Sequence, residues 1–276
     1  LNASFDGSKT AFLPEADAAA LVSHGVTGSK RPPPPPPPTK TSGNKTPDPG
    51  DSPFIVHTPT SIGYLKQMLK LRSLGNFTLL AGEAGTGKNA LIYELARLRG
   101  LSNTLKTLSF HEQTEMRDLT VRVVLADGRT ALVPSALVEA MQQGTEVVLD
   151  EVDRAPAGVL AGLNHILEFR EVTLPDGTVV KAKEGFFVWA TRNPPKAPYR
   201  GDQLSAEFED RFSILRIDYL PAQEEVAVLA KKAPGVSKEL LSGLVKAAGE
   251  LRQAYFKGLL PRPVTMRSLL RTARML

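Results

Sequence analysis

The stretch that decides the fold is Gly82-Glu83-Ala84-Gly85-Thr86-Gly87-Lys88-Asn89. It stands between a short apolar segment, Phe77–Ala81, and a segment with apolar residues at helical spacing that Gly100 ends. Glycines let the backbone turn tightly, so that successive N–H groups and the start of the following helix point at phosphate oxygens. Lys88 adds a positive charge for the β- and γ-phosphates. The stretch therefore predicts a nucleotide phosphate site between a strand and a helix.

Asn89 departs from the usual pattern of such a loop. It stands where Ser or Thr would supply a hydroxyl ligand for Mg²⁺. An amide oxygen also binds a hard cation, but asparagine is longer and planar, so we expect weak Mg²⁺ affinity and slow basal hydrolysis. The alternative is that Asn89 only caps the helix, while Asp150 and phosphate oxygens hold the metal.

A second signal is an apolar strand, Glu146–Leu149, that runs into Asp150 and Glu151. Ligands bind at the carboxyl ends of parallel strands, so this end should face the same crevice as the glycine-rich loop. Asp150 would hold Mg²⁺ and Glu151 would polarise the attacking water. Asn193, after the next buried strand, could orient that water or contact the γ-phosphate; as an Asn before Pro it could equally be a turn residue.

Strand and helix signals alternate from Pro53 onward. The predicted strands are Phe77–Ala81, Thr104–Phe110, Glu146–Leu149 and Phe186–Thr191, and the predicted helices are Ser61–Leu71, Ser135–Gln143 and Val159–Phe169 besides the one after the loop. This alternation predicts a three-layer α/β fold with a mainly parallel sheet. The tail predicts helices only, over Ala222–Lys232, Lys238–Phe256 and Thr265–Met275.

We expect three regions: a disordered proline-rich segment over residues 1–52, an α/β nucleotide-binding domain over 53–220, and a helical lid over 221–276. Half of the 22 prolines precede Phe54, including the run Pro32–Pro38, and such a composition cannot bury enough apolar surface to fold. The run would serve as a stiff spacer or dock an SH3-like groove. Because the chain begins with Leu1, we expect a fragment of a longer protein.

Composition excludes several classes of protein. The chain contains 42% hydrophobic and 23% charged residues and no cysteine, which excludes a disulfide framework and thiolate metal sites. No apolar run approaches the roughly 20 residues that cross a bilayer, so we expect a soluble protein. The lack of cysteine fits a reducing compartment, so we expect a cytoplasmic protein; the alternative is an organellar targeting segment that preceded Leu1. The net charge of +5 is concentrated after Leu229, but stacking aromatics are few there, and a nucleic-acid partner is not expected.

The order of motifs resembles the AAA+ ATPases of the MoxR and midasin (dynein-related) branch. The motifs are the glycine-rich loop, Asp150-Glu151, Ala190-Thr191-Arg192-Asn193-Pro194 and Asp210-Arg211-Phe212, together with His111–Leu119 and the hairpin Glu171–Thr178. The chain is similar also to the CbbQ, NorQ and GvpN group and to the ATPase modules of von Willebrand factor A domain-containing proteins.

The resemblance implies a P-loop NTPase (AAA+) fold followed by a partial helical lid that continues beyond Leu276. It makes Asn193 sensor 1, Arg211 an arginine finger offered to a neighbouring subunit, and Arg267 sensor 2 from the lid. Arg216, Arg262 and Arg271 compete for the two arginine roles.

The implied activity is that of an ATP- and Mg²⁺-dependent motor or chaperone that hydrolyses ATP and remodels a protein client, such as a von Willebrand factor A-type domain. The implied assembly is a homo-oligomeric, hexameric ring. Two alternatives stay open: a non-hydrolysing ATP-dependent switch or scaffold, and a nucleic-acid-dependent ATPase.

Overall fold

The computed structural model describes residues 55–126, 129–194 and 204–276. The proline-rich segment predicted over residues 1–52, with the run Pro32–Pro38, lies outside the described residues. Neither it nor the predicted boundaries of the three regions are tested by the fold.

The strands are β1 (Thr78–Ala81), β2 (Lys106–Ser109), β3 (Val121–Ala126), β4 (Arg129–Pro134), β5 (Glu146–Asp150), β6 (Glu171–Thr173), β7 (Val179–Lys181), β8 (Phe187–Arg192) and β9 (Ser213–Arg216). Five of them form one parallel sheet in the order β2-β5-β8-β1-β9. The other four form two antiparallel hairpins, β3–β4 and β6–β7. A parallel sheet whose strands alternate with helices confirms the predicted α/β class.

The α-helices are α1 (Pro59–Ser73), α2 (Lys88–Leu98), α3 (Ala136–Gln143), α4 (Ala157–Phe169), α5 (Ala206–Glu209), α6 (Ala222–Lys232), α7 (Lys238–Phe256) and α8 (Met266–Ala273), with 3₁₀ turns at Met116–Leu119 and Val152–Arg154. Several begin at a Ser or Thr whose side chain accepts a backbone N–H of the first turn: Thr58, Ser135, Ser205, Ser237 and Thr265. Such caps satisfy N–H groups that have no partner within the helix. None of the helices in the described part of the chain is long and apolar enough to cross a membrane.

Most predicted elements lie within two residues of their positions in the structure. The sequence did not predict β9, the β3–β4 hairpin or the short helix α5. Of these, β9 matters most, because it pairs with β1 and so completes the sheet next to the glycine-rich loop.

The described part of the chain contains two hydrophobic clusters. The larger one lies around the parallel sheet and includes the fully buried Leu79, Val148 and Trp189. The smaller one joins α6, α7 and α8, with Leu229, Leu241 and Leu269 among its buried residues. The helical tail therefore has a core of its own and is called the lid below.

The base of the sheet is tied together by one buried carboxylate. Glu146, 5% exposed at the start of β5, accepts hydrogen bonds from Trp189 Nε1 at 2.7 Å, Arg72 Nε at 2.8 Å and Arg99 Nη1 at 2.5 Å. Burial raises the pKa of this carboxyl, but Arg99 and the hydrogen bonds from Trp189 and Arg72 lower it more, so its pKa lies below the ordinary value. The charged form is the one that the fold stabilises.

We predict that Glu146→Gln lowers the free energy of unfolding at pH 7 by at most about 3 kcal/mol, because two partly buried arginines lose their counter-charge. The parent's extra stability is present above the ordinary glutamate pKa of 4.5 and is lost as the pH falls through the lower folded pKa. Urea unfolding between pH 7 and pH 3 should therefore show a weaker pH dependence for Glu146→Gln. The control is Glu171→Gln, whose partner Lys181 is exposed. Equal losses in the two variants would contradict this account.

Candidate nucleotide-binding site

The glycine-rich loop lies in close contact with two other parts of the chain. A Cβ on Gly82 would lie 2.1 Å from the carbonyl oxygen of Ile217, just after β9. A Cβ on Gly85 would lie 2.4 Å from the Cβ of Thr265, and Gly85 also has a left-handed φ of +77°. Residues with a side chain therefore do not fit at these two positions, and the loop is held between β9 and the start of α8.

Lys88 is the first residue of α2 and turns back over the loop. Its Nζ donates to the carbonyl oxygens of Gly82 at 2.6 Å and Glu83 at 3.0 Å, and to Asn193 Oδ1 at 3.1 Å. Burial lowers the pKa of Lys88 to about 8, although nearby carboxylates, Asp153 above all, oppose the shift. The loop thus holds a poorly hydrated cation where a phosphate would be bound.

Asn89 and Asp150 meet beside this lysine. Asn89 Nδ2 donates to Asp150 Oδ2 at 2.9 Å, and Thr191 Oγ1 donates to Asp150 Oδ1 at 2.6 Å. Asn89 Oδ1 is buried and has no hydrogen-bond partner in the described part of the chain. An unpaired amide oxygen beside a carboxylate is the oxygen-donor set that Mg²⁺ prefers, so these two residues fit the metal expected at such a site.

Glu151 is held in a strained conformation at the end of β5. Its φ of 56° is left-handed, which is costly for a residue with a side chain and is found mostly at functional sites. The Glu151 N–H donates to Thr191 Oγ1 at 3.1 Å, and its Oε2 accepts from Arg154 Nη1 at 2.9 Å. That hydrogen bond raises the pKa of Arg154. Both side chains are more than two-fifths exposed, so the ion pair is weak enough for a ligand to replace.

The backbone of Asn193 is held by Asp153, which lies two residues after Glu151. Its N–H donates to Asp153 Oδ1 at 3.2 Å, and burial raises the pKa of Asp153 despite this bond. Because its backbone is held by Asp153, the Asn193 side chain points at Lys88. The turn after β8 therefore contributes a polar group to the site.

These groups share a cavity of about 850 Å³ between the sheet and the lid, a size typical of small-ligand sites. Part of its wall is apolar or aromatic and comprises Ile55, Val56, Tyr64, Leu220, Val228 and Leu270. Basic side chains in the wall are Lys88, Lys232, Arg267, Arg271 and Arg274, and acidic ones are Asp150, Glu151 and Glu225. Such a lining suits a ligand that combines a flat apolar ring with an anionic tail.

The structure brings most of the predicted site residues together. The cavity wall includes Ala84, Gly85, Thr86, Gly87, Lys88, Asn89, Asp150, Glu151, Asn193 and Arg267. Gly82 and Glu83 belong to the same loop and accept hydrogen bonds from Lys88. Of the competing arginines, Arg271 lines the cavity, whereas Arg216 and Arg262 lie outside it.

Arg211 lies outside the residues that line the cavity of its own chain. Its Nε donates to Asn164 Oδ1 at 3.1 Å and its Nη2 to Glu168 Oε2 at 3.0 Å, both on α4. The Arg211 side chain is thus held against α4, outside the cavity of its own chain.

Sequence reasoning missed several residues of the site. Thr191 bonds both Asp150 and the Glu151 backbone, and its place inside a strand that runs into Asn193 was a usable signal. The wall residues Ile55 and Leu220 come from distant parts of the chain and carry no motif.

Residues 78–212 match the family model described as the AAA domain of the dynein-related subfamily. Among curated proteins, the chain is 29% identical over 219 residues to von Willebrand factor A domain-containing protein 8 of Mus musculus, covering 74% of this chain and 11% of that protein. It is 32% identical over 169 residues to midasin of Dictyostelium discoideum, covering 59% of this chain and 3% of that protein.

Among solved structures, a Cytophaga hutchinsonii protein aligns with a TM-score of 0.47 at 18% identity, over 78% of each chain. That likeness is too distant to say anything about activity. The chain spans only a small part of the long curated relatives.

Asn89 stands between the loop and the carboxylate of Asp150. The Asn89 amide hydrogen-bonds Asp150 and thereby competes with a metal for that carboxylate. We predict that Asn89→Thr, which restores a hydroxyl, lowers the Mg²⁺ concentration for half-maximal ATP hydrolysis and raises the basal rate. Titrating Mg²⁺ against ATPase rate measures both, with Asn89→Ala as the control that removes the competing amide without adding a hydroxyl and should need more Mg²⁺ than Asn89→Thr. Asn89 does not cap the helix, because the N-cap position is Gly87 and the Asn89 side chain bonds Asp150. Superimposable curves for all three proteins would show that Asn89 has no part in metal binding.

Proposed function

From an AAA domain of the dynein-related subfamily in residues 78–212, we propose that this chain is a Mg²⁺-dependent ATPase that remodels a protein partner. The observation that carries the proposal is the convergence of Lys88, Asp150, Glu151 and Asn193 in one cavity, although the four come from three separate segments of the sequence. A positive loop beside two carboxylates and an amide is the arrangement that phosphoryl transfer to water requires.

Each residue has a distinct task in this proposal. The loop N–H groups and Lys88 bind the phosphates, and Asp150 with Asn89 Oδ1 would hold Mg²⁺, which when bound neutralises charge that develops on the phosphate oxygens. Glu151, once released from Arg154, accepts a hydrogen bond from the attacking water and orients it. Asn193 is the sensor, since Lys88 already contacts it and both would face the γ-phosphate.

The binding specificity would come from the rest of the wall. The apolar residues Ile55, Val56 and Val228 suit the face of a purine base, and Arg267 and Arg271 add positive charge on the lid side. Arg267 would be sensor 2. Because these lid arginines face the cavity, they support a phosphate-containing ligand there rather than a nucleic-acid track.

A second candidate function is an ATP-dependent switch that hydrolyses very slowly. Two contacts favour it. Arg154 donates a hydrogen bond to the Glu151 carboxylate, and Asn89 donates one to the Asp150 carboxylate. Both contacts must be exchanged before turnover, so partner binding could set the rate.

The proposed assembly is a homo-oligomeric ring, hexameric by analogy with the family, in which Arg211 serves the neighbouring subunit. The Arg211 side chain bonds Asn164 and Glu168 of α4 and lies outside its own cavity, which supports this. A von Willebrand factor A-type domain is the proposed client, because a relative of this chain carries such a domain in its name.

The central prediction separates binding from turnover. Lys88→Ala should abolish ATP binding, because the loop loses its cation, whereas Glu151→Gln should bind ATP like the parent and lose turnover by at least about 10²-fold. Equilibrium binding and phosphate release measure the two properties. The matched control is Lys106→Ala, an exposed lysine on β2 that should behave as the parent does. Parent-like hydrolysis in both site variants would show that the assigned site is wrong.

Arg211 gives an independent prediction about assembly. Arg211→Ala should leave ATP binding nearly intact and reduce turnover, by as much as about 10³–10⁵ if the chemical step limits the rate. Mixing it with Glu151→Gln should restore some activity, because an intact finger then meets an intact site. The control is Arg122→Ala, an exposed arginine outside the cavity that is not a candidate for this role. If Arg211→Ala turns over as fast as Arg122→Ala and the parent, the proposed role of Arg211 across the interface is wrong.

A further inference from the structure

Three consecutive residues of the phosphate loop are each contacted by residues that follow the sheet. Tyr219 Oη donates to the carbonyl oxygen of Ala84 at 3.2 Å, and Tyr255 Oη donates to Glu83 Oε2 at 3.3 Å. Thr265, the cap of α8, packs so closely on Gly85 that no side chain fits there. The loop is therefore held from outside by the lid and by the connection to it. Hydrogen bonds within the loop add to these contacts.

Arg252 joins two of these contacts at a single side chain. From α7, its guanidinium stacks on the ring of Tyr219, 4.0 Å from the ring centre. Its Nε donates to the carbonyl oxygen of Val264 at 2.7 Å, which fixes the residue before Thr265. One face of Arg252 thus positions the tyrosine that contacts Ala84, and one edge positions the residue that packs on Gly85.

The remaining edge of Arg252 is paired with an acid in the cavity wall. Its Nη1 and Nη2 donate to the two carboxylate oxygens of Glu225, both at 2.9 Å. Arg252 is 6% and Glu225 2% exposed, so the pair is almost completely removed from water. Glu225 lines the cavity, and Arg252 neutralises a carboxylate that would otherwise repel a phosphate.

This use of the side chain depends on arginine. The planar guanidinium stacks on an aromatic ring and donates along two edges at once, which the single ammonium of lysine cannot do. All three contacts lie in the lid or in the connection to it, on α6, on the connection after β9, and just before α8. No motif in the sequence marks this residue.

We propose that Arg252 is a positioning residue that couples the phosphate loop to the lid, through Tyr219 to Ala84 and through Val264 and Thr265 to Gly85. A shift of the loop on nucleotide binding then moves α7 and α8, and with them Arg267, as one unit. The proposal rests on the proposed function only in that a nucleotide binds in the cavity, and it does not require hydrolysis.

The test is hydrogen exchange of the whole chain with and without Mg²⁺ and a non-hydrolysable ATP analogue. In the parent, the analogue should slow exchange at residues 84–89, in α8, which lines the cavity, and also in α7, none of whose residues line it; α7 therefore reports the coupling. Tyr219→Phe keeps the ring under Arg252 and removes only the hydroxyl, so protection at the loop should persist while protection in the lid falls by at least about threefold. Arg252→Lys should lose the lid response too, and bind the analogue about three- to tenfold more weakly.

The matched control is Tyr93→Phe, which removes a hydroxyl bonded to Thr107 away from the loop and should respond as the parent does. A merely structural arginine would raise lid exchange equally with and without the analogue, whereas loss of coupling removes the difference between the two. Should Arg252→Lys fail to fold, Tyr219→Phe still tests the route from Arg252 through Tyr219 to Ala84.

Parent-like lid protection in Tyr219→Phe and in any folded Arg252→Lys would overturn the proposal. A parent that binds the analogue and shows the coupled response, but does not hydrolyse ATP, would refute the proposed ATPase and support the coupling. A parent that binds no nucleotide would overturn both.

Discussion

The close packing of the phosphate loop against β9 is the constraint on which the rest of the site depends. Where β1 ends, the Ile217 N–H still donates to the carbonyl oxygen of Ala81 at 2.8 Å, and the Gly82 N–H donates to that of Arg192 at 3.3 Å. The backbone at Gly82 is thereby fixed between two strands at a distance that leaves no room for a Cβ. Lys88 and Asn193 meet because the loop starts at this point and the parallel neighbour β8 ends there.

The charged groups of the site are paired with protein groups that a ligand can replace. Lys88 bonds two carbonyl oxygens and Asn193, Asp150 bonds the Asn89 amide, and Glu151 bonds Arg154. Each partner is a neutral group or a partly exposed ion, so a phosphate, metal or water that offers an equivalent contact can take its place. By contrast, Glu146 and Glu225 are almost completely buried and paired with arginines, and these pairs hold the architecture.

The sequence predicted those parts of the fold and site that local chemistry determines. The run from Gly82 to Asn89 requires a tight turn and a helix start, and Asp150 and Glu151 follow a continuous apolar strand; both patterns are visible within a few residues. The strand β9 was missed because it is a short edge strand with Ile214 exposed, so its residues show neither a continuous apolar run nor a clear alternation. The pair of Arg252 with Glu225 joins residues on two different helices, and only the packing of the lid brings them together.

The most direct test of the nucleotide site is a crystal structure of the chain with Mg²⁺ and a non-hydrolysable ATP analogue. The account predicts that the triphosphate lies on the backbone N–H groups of residues 84–89 and that Lys88 Nζ moves from the Gly82 carbonyl oxygen to a phosphate oxygen. The base should lie against Ile55 and Val56. An analogue bound elsewhere, or one that leaves Lys88 bonded to Gly82 and Glu83, would contradict it.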